Sequence, residues 1–196
     1  QNGRFRLIAD GNIEIVSNDV VVNDVWYHVV GIGDGTNLKL YVNGSLQTDV
    51  KSYSTPLPVA NNDLMIGAQY ASDIAYEWVG EISNTSIFNT ALPATGTESI
   101  ESLYNYGTPP DISSYSGLQG WWKLDASATF DGSNWSIPDS SSNSNTGTSS
   151  GMTAANLVQS NLNILSPYSR YGLNFDGVDN TICLLYTSDA ADEVVS

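Results

Sequence analysis

Apolar residues recur with a period of two along most of the chain. Phe5, Leu7 and Ala9 interleave with Arg4, Arg6 and Ile8. That alternation puts one set of side chains on each face of a strand. Ile13 to Val16 and Val20 to Val22 are short β-branched runs, and Trp26 to Ile32 follows them. Leu38, Leu40 and Val42 fall on one face, with Lys39 and Tyr41 on the other. Asn43-Gly44 then supplies two residues that tolerate positive φ, a strong hairpin signal, and the chain returns through Leu46 to Val50. Leu64 to Ala68, Tyr76 to Gly80 and Glu81 to Phe88 continue the series. Short strands at this spacing, with turn residues between them, predict a sandwich or barrel.

One helix interrupts the strands. Thr95 and Glu98 have capping-box spacing, and Ile100, Leu103 and Tyr104 share a helical face. Gly107 is placed to terminate this helix, predicted near 95–106, and Pro109-Pro110 forbid its continuation. Residues 108–117 then read as a linker. Beyond it, Leu118 to Asp125 and Tyr171 to Phe175 are strands, Asp131-Gly132 is a turn, and Pro138 to Ser150 reads as a polar surface loop.

Composition narrows the function. Twenty-one acids against six lysines and arginines give a formal net charge of -15. A nucleic-acid binder needs cations for the phosphates, and anionic lipid repels such a chain, so neither partner is expected. No run reaches the roughly 20 apolar residues of a membrane helix, so no membrane insertion is expected. The one cysteine, Cys183, makes an intrachain disulfide impossible.

Three segments carry a family resemblance. Trp26 to Gly44 contains W-Y-H-V-V-G and L-K-L-Y-V-N-G. Ile66 to Leu92 contains I-G and W-V-G-E-I-S-N-T-S-I-F-N-T-A-L. Gly120 to Thr181 contains G-W-W-K-L-D, P-D-S-S-S-N and L-N-F-D-G-V-D-N. As a set they resemble the laminin G-like domains of the concanavalin A-like lectin/glucanase superfamily. The resemblance implies an all-β, antiparallel jelly-roll sandwich. In that family the segments like GWWKLD and NFDGVDN open a domain, and those like WYHVV and GEISNTSIFNTAL close it. Here the closing segments come first. Residues 1–107 therefore resemble the C-terminal half of one domain, and 118–182 the N-terminal half of a second. The two halves are expected to pair as a circularly permuted sandwich, with Gly120 to Leu124 beside Ile82 to Phe88. The eleven residues CLLYTSDAADE, from Cys183 to Glu193, resemble a translated transposase adapter used in DNA library preparation. Residues 183–196 are therefore set aside from fold reasoning as an adapter-derived tail.

No catalytic constellation stands out. Glu77 and Glu81 are four apart, roughly 13 Å along a strand, too far for a carboxylate pair. His28, the single histidine, has no nucleophile motif or multi-histidine spacing around it. The expected protein is not an enzyme. Ca2+ is the cofactor candidate: Asp176, Asp179 and Asn180 gather hard oxygen donors in one loop. The favoured reading of Asp176-Gly177 is a hairpin turn. Trp135, Tyr70 and Tyr76 are the candidate ligand-binding aromatics, because such rings stack on sugars. Tyr104 and Tyr106 read as helix-docking residues. The expected role is a non-catalytic binding or adhesion module of a larger secreted or surface protein. Its expected partner is a glycan or a surface protein. Alternatives are a structural repeat of a virion or phage-tail adhesin, and an accessory domain of a glycoside hydrolase.

Overall fold

The computed structural model describes residues 3–9, 13–53, 64–70, 74–75, 77–160, 162, 168 and 170–184. Its elements are short antiparallel strands with one short α-helix, the all-β class that the alternation predicts. The chain forms two compact units, each drawing on separated stretches of sequence.

The first unit comprises residues 1–59, 88–118 and 161–167. Here β1 (Arg6–Ala9) pairs with β2 (Ile13–Val16), and β3 (Val29–Gly33) pairs with β4 (Asn37–Val42). Two short strands, β5 (Ser45–Leu46) and β6 (Lys51–Ser52), also pair with β4. β4 is central and buries both its faces, following its alternation. Leu38 and Leu40 enter one cluster with Ile15, Phe5 and Leu7. Tyr41 points the other way, into a cluster with Ile32, Leu92 and Ile100.

The helix α1 (Ile100–Tyr104) is shorter than predicted, and its cap lies elsewhere. Ser99, not Thr95, is the N-cap, and Ser102 closes the capping box in place of Glu98. Gly96, at φ +119°, breaks any helix through the earlier position. Glu98 instead accepts a hydrogen bond from the Ser116 amide at 2.8 Å. Ile100 and Leu103 pack into the Tyr41 cluster, which fixes the helix on the sheet. Asn105, not Gly107, takes the left-handed cap position.

The second unit comprises residues 60–87, 119–160 and 168–196. Its strands are β7 (Leu64–Ile66), β8 (Gln69–Tyr70), β9 (Ile74–Ala75), β10 (Val79–Ile82), β11 (Thr85–Phe88) and β12 (Leu118–Trp122). They continue with β13 (Thr129–Phe130), β14 (Trp135–Ile137), β15 (Gly147–Ser150), β16 (Leu157–Gln159), β17 (Tyr171–Asp176) and β18 (Thr181–Leu184). One sheet runs β13-β14-β15-β18-β7, and another runs β10-β17-β16. Both contribute to one buried cluster: Ile66, Trp135, Ile137, Ile182 and Leu184 from the first, Leu173 and Phe175 from the second. Two sheets sharing an apolar interior are a sandwich.

This unit interleaves strands from before and after residues 108–117. β10 pairs with β17, β18 with β7, and β11 with β12. The amide of Asn84 also donates to the Lys123 carbonyl at 3.0 Å. Thr85–Phe88 thus takes the place predicted beside Gly120 to Leu124, while Ile82 pairs with Leu173.

One expectation is corrected. Within the segment read as a surface loop, residues 147–150 form an inner strand of the five-stranded sheet. Its inward positions are the small Gly147 and Ser149, so no apolar signal marks them. A Cβ on Gly147 would lie 2.6 Å from Leu184 and 2.9 Å from Ile182, so a larger residue would have to displace these buried side chains. Cys183 and Leu184, the first residues of the adapter-like stretch, lie in β18, and Leu184 is buried.

Candidate functional site

An open groove of about 360 Å³ lies in the first unit. The hairpin turn at 43–46 forms one wall, with Ala94 and Thr95 nearby. Glu101, Tyr104 and Tyr106 contribute from the helix side, and Tyr41 is the buried member of the lining. None of the chain's six lysines and arginines lines it.

Each wall is fixed locally. The amide of His28 donates to Asn43 Oδ1 at 2.9 Å, and the Asn43 amide donates to the His28 carbonyl at 2.8 Å. Gly44, at φ +75°, brings the turn so close to the helix that a Cβ would lie 3.0 Å from Tyr104. Tyr104 stacks on His28, with centroids 5.9 Å apart and planes 29° apart. Burial pushes the His28 pKa down to about 4, and its Nδ1 is buried with no hydrogen-bond partner. The imidazole is therefore neutral and acts as a flat support for Tyr104.

Tyr106 stands out. It is 85% exposed and holds φ at +54°. A non-glycine residue with a bulky side chain is uncommon there and costs of order 1 kcal/mol. The neighbouring Asn105 side chain donates to the Thr108 carbonyl at 2.9 Å, and the Thr108 amide donates back to the Asn105 carbonyl at 3.0 Å. This turn presents the Tyr106 ring, 6.3 Å from that of Tyr104 and inclined by 48°. The Glu101 carboxylate has no hydrogen-bond or ion-pair partner among the described residues. The chemistry on offer is ring stacking, with polar groups from Asn43, Ser45 and Thr95 at the rim.

The residues predicted from the sequence fall elsewhere. Trp135 is 6% exposed, lies against Phe130, and donates from Nε1 to the Thr153 carbonyl at 2.8 Å. As placed, it is a core residue with no open face for a sugar. Tyr76 and the side chain of Tyr70 lie outside the described residues.

Asp176, Asp179 and Asn180 do meet in one loop, which crosses from β17 to β18. Asn180, only 2% exposed, does not fit as a cation ligand. Its Oδ1 accepts from Asn156 Nδ2 at 2.9 Å and from the Asp176 amide at 3.2 Å. Its Nδ2 donates to the Gly151 carbonyl at 2.9 Å. Asp176 Oδ1 accepts from the Val178 amide at 2.9 Å, the turn that the sequence also allows. Beside this loop, Trp78, Val79 and Val178 are 41%, 73% and 71% exposed. Gly177 approaches Val79 closely, so these apolar groups share one rim.

Of the residues considered for catalysis, Glu77 precedes β10 and does not share a strand with Glu81. Burial holds the Glu81 carboxyl above the usual range.

Residues 1–96 match the laminin G-type family model described as the concanavalin A-like lectin/glucanases superfamily. This segment belongs to that superfamily. The laminin G-like segment supplies the hairpin wall, Ala94 and Thr95. Glu101, Tyr104 and Tyr106 lie beyond the matched residues. No curated protein and no solved structure matched the chain.

The sequence reading missed the groove. Y-N-Y-G at 104–107 looked like a helix end, and only the backbone turn shows that one tyrosine docks while the other projects. No helix among the described residues is long and apolar enough to cross a membrane.

Proposed function

We propose that this protein is a non-catalytic glycan-binding module of a larger secreted or surface protein, and that it binds through the tyrosine groove. The observation that carries this reading is Tyr106. An aromatic ring is held out at 85% exposure by a left-handed backbone, beside a second ring and over a groove with a polar rim. Burying such a ring elsewhere would stabilise the fold, so its exposure has a use outside folding. The laminin G-like family of residues 1–96 supports a carbohydrate-binding or adhesion role.

Glycan-array screening followed by calorimetry tests the reading. The variant Tyr106→Asn suits the purpose, because asparagine tolerates positive φ and should keep or slightly raise the melting temperature. Its affinity for the best array hit should fall about tenfold, the loss expected for one stacked ring and its contacts. Unchanged affinity in a folded variant removes the groove from the function.

A further inference from the structure

The groove's charge pattern narrows its ligand. Its lining residues include Tyr41, Tyr104, Tyr106 and Glu101, and no lysine or arginine. Elsewhere, three of the chain's cations are already paired: Arg6 with Glu14, Lys39 with Asp34, and Lys51 with Asp49. Lys123 sits over the Trp121 ring at 4.6 Å. An anionic glycan entering the groove would meet a carboxylate on a chain of net charge -15 and no compensating cation. A cationic ligand meets the opposite situation. Aromatic faces attract ammonium groups through their quadrupole, and Tyr104 and Tyr106 form an inclined pair whose centroids are 6.3 Å apart. Glu101, on the first turn of α1, adds a carboxylate within the same lining, and no protein partner competes for it among the described residues.

We infer that the groove selects saccharides carrying a free ammonium group, that is, unacetylated amino sugars, over their acetylated and carboxylated counterparts. The inference rests on the glycan-binding reading and adds the charge of the ligand to it. Tyr104 and Tyr106 supply the stacking surface common to all pyranosides, and Glu101 supplies the discrimination. The N-acetyl group removes the charge and adds bulk, and a uronate reverses the sign.

The test uses the full chain and three oligosaccharides of equal length: β-1,4-linked glucosamine, the fully acetylated form, and one bearing glucuronate. Titration calorimetry at a pH of about 6 keeps the sugar amine protonated. The amine form should bind about tenfold more tightly than the acetylated form, and the glucuronate form most weakly. Glu101→Gln should remove most of that preference, weakening the amine form about tenfold and the acetylated form far less. Tyr106→Asn should weaken binding of both. Equal binding of the amine and acetylated forms, still lost in Tyr106→Asn, overturns this inference and leaves the glycan reading intact. A preference that persists in Glu101→Gln assigns it to the net negative charge of the chain, and the inference fails. If none of the sugars binds and the wider array is also blank, the glycan reading itself is wrong, and this inference falls with it.

Discussion

Asn180 illustrates how a residue can look like a ligand and act as a fastener. Its amide is spent on four neighbours: Asn156, the Asp176 backbone, the Gly151 carbonyl and the Asp179 carboxylate. Each bond spans a different stretch of chain, and together they fix the crossing between β17 and β18. Truncation would leave several buried polar groups unpaired at once, at about 1–3 kcal/mol for each uncompensated group. Asn180→Ala should therefore lower unfolding stability by about 3 kcal/mol, measured by urea denaturation. A loss below about 0.5 kcal/mol would mean that water replaces these bonds without cost. Asp139 has a similar role in the P-D-S-S-S-N segment. It accepts from the amides of Trp121 and Ser141 at 2.8 Å and of Asn145 at 2.9 Å. The sequence shows such residues as loop polars. Their hydrogen-bond duties depend on partners that are distant along the chain.

At the scale of elements, the helix decides the groove. α1 has only five residues, too short to be stable by propensity. It persists because Ile100 is fully buried and because Ser99 satisfies its first turn. Ser99 Oγ accepts from the Ser102 amide at 3.1 Å and donates to the Gly96 carbonyl at 2.8 Å. Ser99→Ala should cost about 1–2 kcal/mol. Because the same helix carries Glu101 and Tyr104, glycan affinity should fall with it, although Ser99 does not line the groove. Parallel thermal melts and titrations of this variant separate the two effects. β15 makes a complementary point. Its inward residues are Gly147 and Ser149, so its hydrophobic signal is absent although it lies inside a sheet. Close approach of Leu184 and Ile182 to Gly147 replaces side-chain burial as the reason for its position.

Across the whole molecule, acid stability reflects several groups at once. Burial lowers the His28 pKa from 6.5 to about 4. Below pH 6.5 the unfolded chain gains a proton on this residue, while the folded chain gains it only near pH 4. Stability should thus be full above that window and fall as pH drops through it, by roughly 3 kcal/mol. Glu81 opposes this trend, because its raised pKa means that the folded state takes up a proton first. Asp34, Asp49 and Asp131 are held below the ordinary carboxylate range, the first by Lys39, the second by Lys51 and the third by turn amides. Their contribution is present above that range and is lost only at still lower pH. Urea unfolding at neutral pH and again near pH 4.5 checks the prediction. His28→Phe, which keeps the stack on Tyr104, should flatten the difference. An unaltered slope would reassign it to the carboxylates.

The sequence by itself determined the class of the fold. Period-two alternation is a property of neighbouring residues, so Leu38, Leu40 and Tyr41 announce their faces without knowledge of a partner. The order of the family-like segments likewise pointed to strands meeting across residues 108–117, as β11 and β12 do. Tertiary structure decided the rest. Whether Trp135 is a sugar platform or core, and whether Asn180 binds a cation or closes a loop, depends on groups far away in sequence. The groove is the clearest case. It requires a hairpin at 43–46 and a helix at 100–104 to be brought together, with Tyr106 turned outward by a left-handed backbone. Local patterning reports which face a side chain takes on its own element. It carries no information about which other element that face will meet.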